Sequence, residues 1–236
     1  MTYIILAAGL GTRLSPLTLK YPKSLYKLDK NMTILQRMVK LIRKYDNMAE
    51  IVVVTGFMSD YVHKELSMEN VIFIKNPFYS ITSSIASLWF AREYLDRDNV
   101  TLINGDMVIE SRIMSDIVCV PTDKPYILLD SSFTNDCGVQ VKDDKVLIMS
   151  KQLKSSYGEY ACISKLDSIS SRLLKIEINV MVEQEMFDLH FEDALLNMIF
   201  SSGFELYFVD IANYKWTEVD CVDDFLKAKD IHNSEN

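Results

Sequence analysis

The chain has 236 residues, 49% of them apolar, with seven glycines, five prolines and a formal charge of −8, which is length and apolar content enough for a full core. That acidity excludes broad binding to a nucleic-acid backbone, which needs a basic face, but leaves room for a small anion in a local basic pocket. The four cysteines, Cys119, Cys137, Cys162 and Cys221, are scattered with no C-x-x-C pair, which excludes a zinc or redox motif and predicts reduced thiols.

The opening apolar run is too short for a signal peptide and lacks a basic flank, and no later stretch reaches about eighteen apolar residues. A cytoplasmic protein is expected. In chain order, "TYIILAAG" reads as a buried strand and "TILQRMVKLIRKY" as a helix with Ile34, Met38, Leu41 and Ile42 on one face. "EIVVVTG" is a strand, "SDYVHKEL" a short helix, "NVIFIKN" a strand, "SITSSIASLWFAREYL" a helix and "NVTLING" a strand. This alternation predicts parallel strands with crossover helices on both sheet faces. After Asp106 the rhythm changes to short strands, "YILLD", "CGVQV" and "KVLIMSK", with a hairpin turn at "KDDK", which reads as an insertion flanking the far edge of the sheet. A helix returns at "FEDALLNMIFSSG" with Gly203 as its stop, followed by strands at "FELYFVD" and "YKWTEVD" and a closing helix, "VDDFLKAKDIH". A single domain over residues 1–236 is expected.

The stretch "ILAAGLGTRLSPLTLKYPKSL" follows the first strand directly. Ligands of open α/β sheets bind beyond the carboxyl ends of the strands. Glycines there let backbone amides approach a phosphate, and Arg13 and Lys23 supply cations for it. A dinucleotide fingerprint would need a third glycine where Leu14 stands, and the second strand ends in Thr55 and Gly56 rather than in an acid for a ribose; a P-loop is absent as well. A glycine-rich turn beside a solvated arginine is the competing structural account.

The segment Leu6-Ala7-Ala8-Gly9-Leu10-Gly11-Thr12-Arg13-Leu14, with Pro16-Leu17-Thr18 and Pro22-Lys23-Ser24-Leu25 after it, resembles the sugar-phosphate nucleotidyltransferase superfamily. The resemblance implies a Rossmann-like, doubly wound mixed α/β sheet with a small β-rich insertion, the GT-A-like arrangement. It implies transfer of a nucleoside monophosphate to an acceptor phosphate. It assigns Leu6, Ala8, Gly9, Gly11, Thr12, Arg13 and Lys23 to the nucleotide, together with Gly56, Ser87 and Asp106. In "INGDMVIE" and "YKWTEVDCVDDFLKAKDI", it makes Asp106 and Asp220 the ligands of Mg²⁺, and strand alternation puts Glu218 on the face of Asp220. It assigns Lys151 in "VLIMSKQL" and Glu159 and Tyr160 in "YGEYACISKL" to the acceptor. Each assignment has a structural alternative: Asp106 as a turn residue, Asp220 as a helix N-cap and Lys151 as a solvated lysine.

The implied chemistry is in-line attack by an acceptor oxygen on the α-phosphorus of a nucleoside triphosphate, with pyrophosphate leaving. A phosphate monoester has a second pKa of about 6, so its nucleophile is already anionic and no general base is required. Charge neutralisation by a divalent cation and by Arg13, Lys23 and Lys151 is the requirement instead. His63, His190 and His232 lie outside every motif and read as surface or packing residues.

"NPFYSITSSIASLWFAR" resembles a stretch of the small cytidylyltransferases that make CDP-linked choline or aminoalkylphosphonates, with Ser83 and Ser84 where that group often has asparagine. The resemblance implies CTP as donor, a small phospho- or phosphono-acceptor, a monomer or homodimer, and a product used on surface polysaccharide or lipid. Glu192 and Asp193 could pair with an ammonium on the acceptor, or could be acids at the positive end of a helix. Cys137 and Phe191 stand near positions where phosphocholine enzymes have tryptophans. An aromatic cage suits a quaternary ammonium, so a primary amine is expected, as in 2-aminoethylphosphonate or phosphoglutamine. Phosphocholine, a sugar 1-phosphate, and an inactive nucleotide-binding regulator are the alternatives.

Overall fold

The computed structural model describes residues 1–11, 21–132 and 137–235. Among these, the parallel half of a nine-stranded sheet is built from β1 (Thr2–Ala7), β2 (Glu50–Thr55), β3 (Ile72–Lys75) and β4 (Val100–Asn104) in the order β3-β2-β1-β4. The residues of β1 and β2 are almost all buried, as expected of strands covered on both faces. A crossover helix, α1 (Ile34–Tyr45), opens with a capping box: Thr33 Oγ1 accepts from Gln36 N at 3.2 Å and Gln36 Oε1 from Thr33 N at 3.1 Å. Its apolar face, including Met38 and Ile42, is buried in the core with Tyr3 and Val52.

The second crossover holds α2 (Ser59–Glu65), and the third departs from expectation. The single helix expected over "SITSSIASLWFAREYL" is only α3 (Ser84–Phe90), followed by a 3₁₀ segment at Arg92–Asp96. The residues before it form a turn held by Asn76, whose Oδ1 accepts from Phe78 N at 2.9 Å and whose Nδ2 donates to Thr82 Oγ1 at 3.1 Å. Asparagine in that role competes with helix formation.

After β4 come β5 (Met107–Ile109), α4 (Ser111–Ile113) running into a π turn at Met114–Val118, and β6 (Tyr126–Asp130). The hairpin is β7 (Gly138–Lys142) and β8 (Lys145–Ser150), with Asp143 at φ 57° in the turn. Next are β9 (Gly158–Leu166), α5 (Ser168–Glu183), α6 (Phe191–Ser202), β10 (Tyr207–Asp210), β11 (Trp216–Glu218) and α7 (Val222–Asn233). Gly203 ends α6 at φ +65°.

The sheet continues β4-β9-β6-β10-β8-β7, with β9 also pairing with β7. The β-rich insertion expected at the sheet's far edge is there: the β7–β8 hairpin forms that edge, while β6 of the same stretch runs within the sheet. β9 lies antiparallel against β4 inside the sheet, and the β9–β7 pairing curls that end back on itself. The fold is the expected α/β mixed sheet. A smaller apolar cluster, which includes Leu28, Ile34, Val108, Val219 and Ile231, packs α7 beneath the separate β5–β11 ribbon.

Candidate active site

The ends of β1 and β4 are neighbours, and the loops that leave them touch. Gly105 N donates to Leu6 O at 2.8 Å, and a Cβ on Gly105 would lie 2.7 Å from the Cβ of Ala7. Glycine is needed there for the close approach. Beyond this contact opens a cavity of about 420 Å³ walled by the loop from Leu6 to Gly11 on one side and by Tyr79, Ser83 and Ser87 on the other. Ser87 Oγ accepts from the buried Asn76 Nδ2 at 3.1 Å. Gly56 packs behind this wall, where its missing side chain admits Tyr79: an added Cβ would meet that of Tyr79 at 2.6 Å. Thr12 and Arg13 lie outside the described residues.

The β5–β11 ribbon brings the acidic groups together. Glu218 pairs with Met107 in the ladder, and Val219 N donates to Asp106 O at 3.1 Å. One carboxylate oxygen from each of Asp106, Glu218 and Asp220 lies within 4.8 Å of the others. Lys23 inserts among them, bonding Asp106 Oδ2 and Asp220 Oδ1, the latter at 2.6 Å. Burial alone would lower the Lys23 pKa, but Asp106 and Asp220 reverse this and hold it well above the ordinary value. Burial, with Asp106 and Asp220 adding to it and Lys23 opposing, raises Glu218 to about 7.

Asp220 is not the N-cap of α7. Cys221 is, and Asp224 at the third helical position completes the capping box, its Oδ2 accepting from Asp220 N at 3.2 Å and from Cys221 N at 3.0 Å. Asp106 Oδ1 is buried without a hydrogen-bond partner. A trio of carboxylates with an unsatisfied oxygen suits a hard divalent cation, which takes oxygen ligands and few carboxylates.

A second cavity of about 250 Å³ adjoins the first, and the two share Asn104, His190, Glu192 and Glu218 as lining. Asn104 Nδ2 donates to Glu218 Oε1 at 3.2 Å, fixing that carboxylate between the cavities. Lys151, in the exposed turn after β8, and the buried Glu159 also line the second cavity. Tyr160 lines it too, although its hydroxyl is 2.8 Å from Ser164 Oγ and tied into the sheet. Asp193 caps α6, its Oδ2 accepting from His190 N at 2.8 Å. Glu192 is different: its Oε2 is shut off from solvent without a hydrogen-bond partner. Burial first, then Glu218 and Asp193, raise it to about 8 against the opposing effects of a backbone hydrogen bond and Lys151.

His190, read from sequence as a surface or packing residue, lines both cavities, with Nδ1 3.2 Å from Ser83 Oγ. Asn104 and His190 escaped sequence reasoning because their partners, Glu218 and Ser83, are distant in the chain, whereas Asn76 acts within its own segment on Phe78, Thr82 and Ser87.

A model of the MobA-like NTP transferase domain matches residues 3–127, which hold the opening loop, the serine wall and Asp106. The chain belongs to this family. The NTP transferase is thus an enzyme that transfers nucleotidyl groups. It is 24% identical to the choline-phosphate cytidylyltransferase of Streptococcus pneumoniae over 246 residues, covering 100% of both chains. It is 30% identical over 122 residues to the CMP-5'-(3-aminopropyl)phosphonate synthase of Streptomyces rubellomurinus, a match that takes in 50% of this chain and 19% of that longer protein. In three dimensions it resembles the CTP:phosphocholine cytidylyltransferase of Streptococcus pneumoniae, with a TM-score of 0.79 at 21% identity over 98% of each chain. That likeness shows the shared nucleotidyltransferase fold. No helix among the described residues is long and apolar enough to cross a membrane.

Proposed function

We propose that this NTP transferase is a cytidylyltransferase that moves CMP from CTP to a small phosphate or phosphonate acceptor bearing a primary amine. The triphosphate lies in the larger cavity, along the loop from Leu6 to Gly11, with the base toward Ser83 and Ser87. Asp106 and Asp220, with Glu218 beside them, hold Mg²⁺, which when bound offsets the charge of the triphosphate. The acceptor lies in the smaller cavity, its anionic end toward Lys151 and the shared wall and its amine toward Glu192. Glu159 lines that cavity, and Arg13 is assigned to the triphosphate by motif. Held in line, the acceptor oxygen forms a bond to the α-phosphorus as the bond to pyrophosphate breaks, and no side chain need take a proton.

The observation that carries the amine is Glu192, a carboxyl that lines a cavity of acceptor size and whose enclosed Oε2 has no hydrogen-bond partner. A primary ammonium can donate hydrogen bonds to it and a trimethylammonium cannot. Among the described residues lining that cavity, Tyr160 is the only one with a phenyl-type ring, too little for an aromatic cage. Phosphocholine is the second reading, favoured by the full-length match to a choline-phosphate enzyme. Pyrophosphate release from each of the four ribonucleoside triphosphates, with 2-aminoethylphosphonate, phosphoglutamine, phosphocholine and glucose 1-phosphate, tests the proposal. Turnover is expected with CTP and the amines. A preference for UTP, or for the sugar phosphate, would overturn it.

A further inference from the structure

Among the described residues of the cleft, one lysine is held by two carboxylates. Lys23 Nζ stands between Asp106 Oδ2 and Asp220 Oδ1, two of the three carboxylates assigned above to the divalent cation. Its backbone is anchored independently of those contacts: Lys23–Leu25 form a 3₁₀ turn in which Leu25 N donates to Pro22 O at 2.9 Å and Tyr26 N to Lys23 O at 3.1 Å, with Ser24 and Leu25 buried. The flexible four-carbon stem can therefore carry the ammonium elsewhere while the main chain stays in place. Lys23 also lines the larger cavity, so a displaced ammonium remains within the cleft, where a polyphosphate offers new anionic partners.

An ammonium and a metal ion cannot share these oxygens. Magnesium binds carboxylate oxygen at about 2.0–2.1 Å, and Nζ lies 2.6 Å from Asp220 Oδ1, so an ion on both aspartates would sit against Nζ with like charge. Three carboxylates this close also repel one another unless a cation lies among them.

We propose that Lys23 is an internal place-holder for the divalent cation, closing the acidic trio of the free enzyme and yielding it when metal arrives with a triphosphate able to accept the displaced ammonium. This rests on the metal site proposed above. It implies that the free enzyme binds divalent cations weakly and that metal enters together with the nucleotide.

Mn²⁺ titrated into the nucleotide-free full chain, with unbound Mn²⁺ read by electron paramagnetic resonance, tests this without donor or acceptor. Failure of the CTP or amine assignment would therefore leave the result untouched. Lys23→Gln is expected to bind Mn²⁺ at least tenfold more tightly than the natural protein, Lys23→Arg to stay as weak, and Asp106→Asn added to Lys23→Gln to abolish the gain. Equal or weaker binding by Lys23→Gln overturns the proposal, as does a gain that survives Asp106→Asn. Because emptying the trio of its lysine could disturb folding, a second measurement uses the unaltered protein. Acetylation of Lys23, read by mass spectrometry against the exposed Lys30, should rise at saturating Mn²⁺, and no change would equally overturn the proposal.

Discussion

Glu192 concentrates the energetics of the site in one side chain. Its native pKa is about 8, against about 4.3 in an unfolded chain, so between these values the folded protein holds a proton that the unfolded chain has lost. Stability falls as pH rises through that window, and below it the group contributes no pH dependence. Glu192→Gln, which cannot ionise, should raise Tm roughly fourfold more at pH 8 than at pH 5; an equal gain at both would show that Glu192 is not buried in its neutral form. When an ammonium arrives at pH 7, the carboxyl should ionise and release up to about one proton, measurable by calorimetry in two buffers of different ionisation enthalpy and absent from Glu192→Gln. In the proposed reaction Asp106 and Asp220 would act on charge at the reacting phosphates through the cation they hold. Asp106→Asn and Asp220→Asn are each expected to lower kcat by about 10²–10³-fold with an unchanged circular-dichroism spectrum, and near-normal turnover in both would place the metal elsewhere.

At the scale of elements, the site depends on how closely β1 and β4 approach. Gly105→Ala would drive a Cβ into Ala7 and to 2.9 Å from Leu6 O, costing about 1–3 kcal/mol and moving Asp106. A lower denaturation midpoint together with reduced activity is expected, and an unaffected enzyme would mean that the loops are not held by this contact. Elements with a single clear period were legible from sequence: the four parallel strands, α1 by its apolar face, and α7. Two central ones were not. All nine residues of β9 are buried, Ser164 and Lys165 among them, so it shows no alternation. α5 exposes Ile169, Leu173, Ile176 and Val180 while burying Leu174 and Ile178, which blurs the helical period.

Across the whole molecule, the two cavities at one sheet edge place Lys23 and Lys151 and the glycines of the opening loop among several carboxylates of an acidic chain. The opening motif made that edge legible, and Asp106 and Asp220 with it, because they sit in contiguous stretches. The adjoining cavity was less so. Its walls come from β8, β9 and the start of α6, and only folding reveals that Glu192 faces the cavity while its neighbour Asp193 caps a helix. The claim that this cavity selects an acceptor by its ammonium head is tested most directly by kcat/KM for 2-aminoethylphosphonate and for its N,N,N-trimethyl analogue, both with CTP. These acceptors share the phosphonate and the positive charge and differ in the size of the ammonium head and in its capacity to donate hydrogen bonds, which the Glu192→Gln variant separates. A preference of at least tenfold for the primary amine, abolished in Glu192→Gln, is predicted, since a charge-assisted hydrogen bond contributes about 1.5–3 kcal/mol. Equal or faster turnover of the trimethyl analogue by the unaltered enzyme would contradict it.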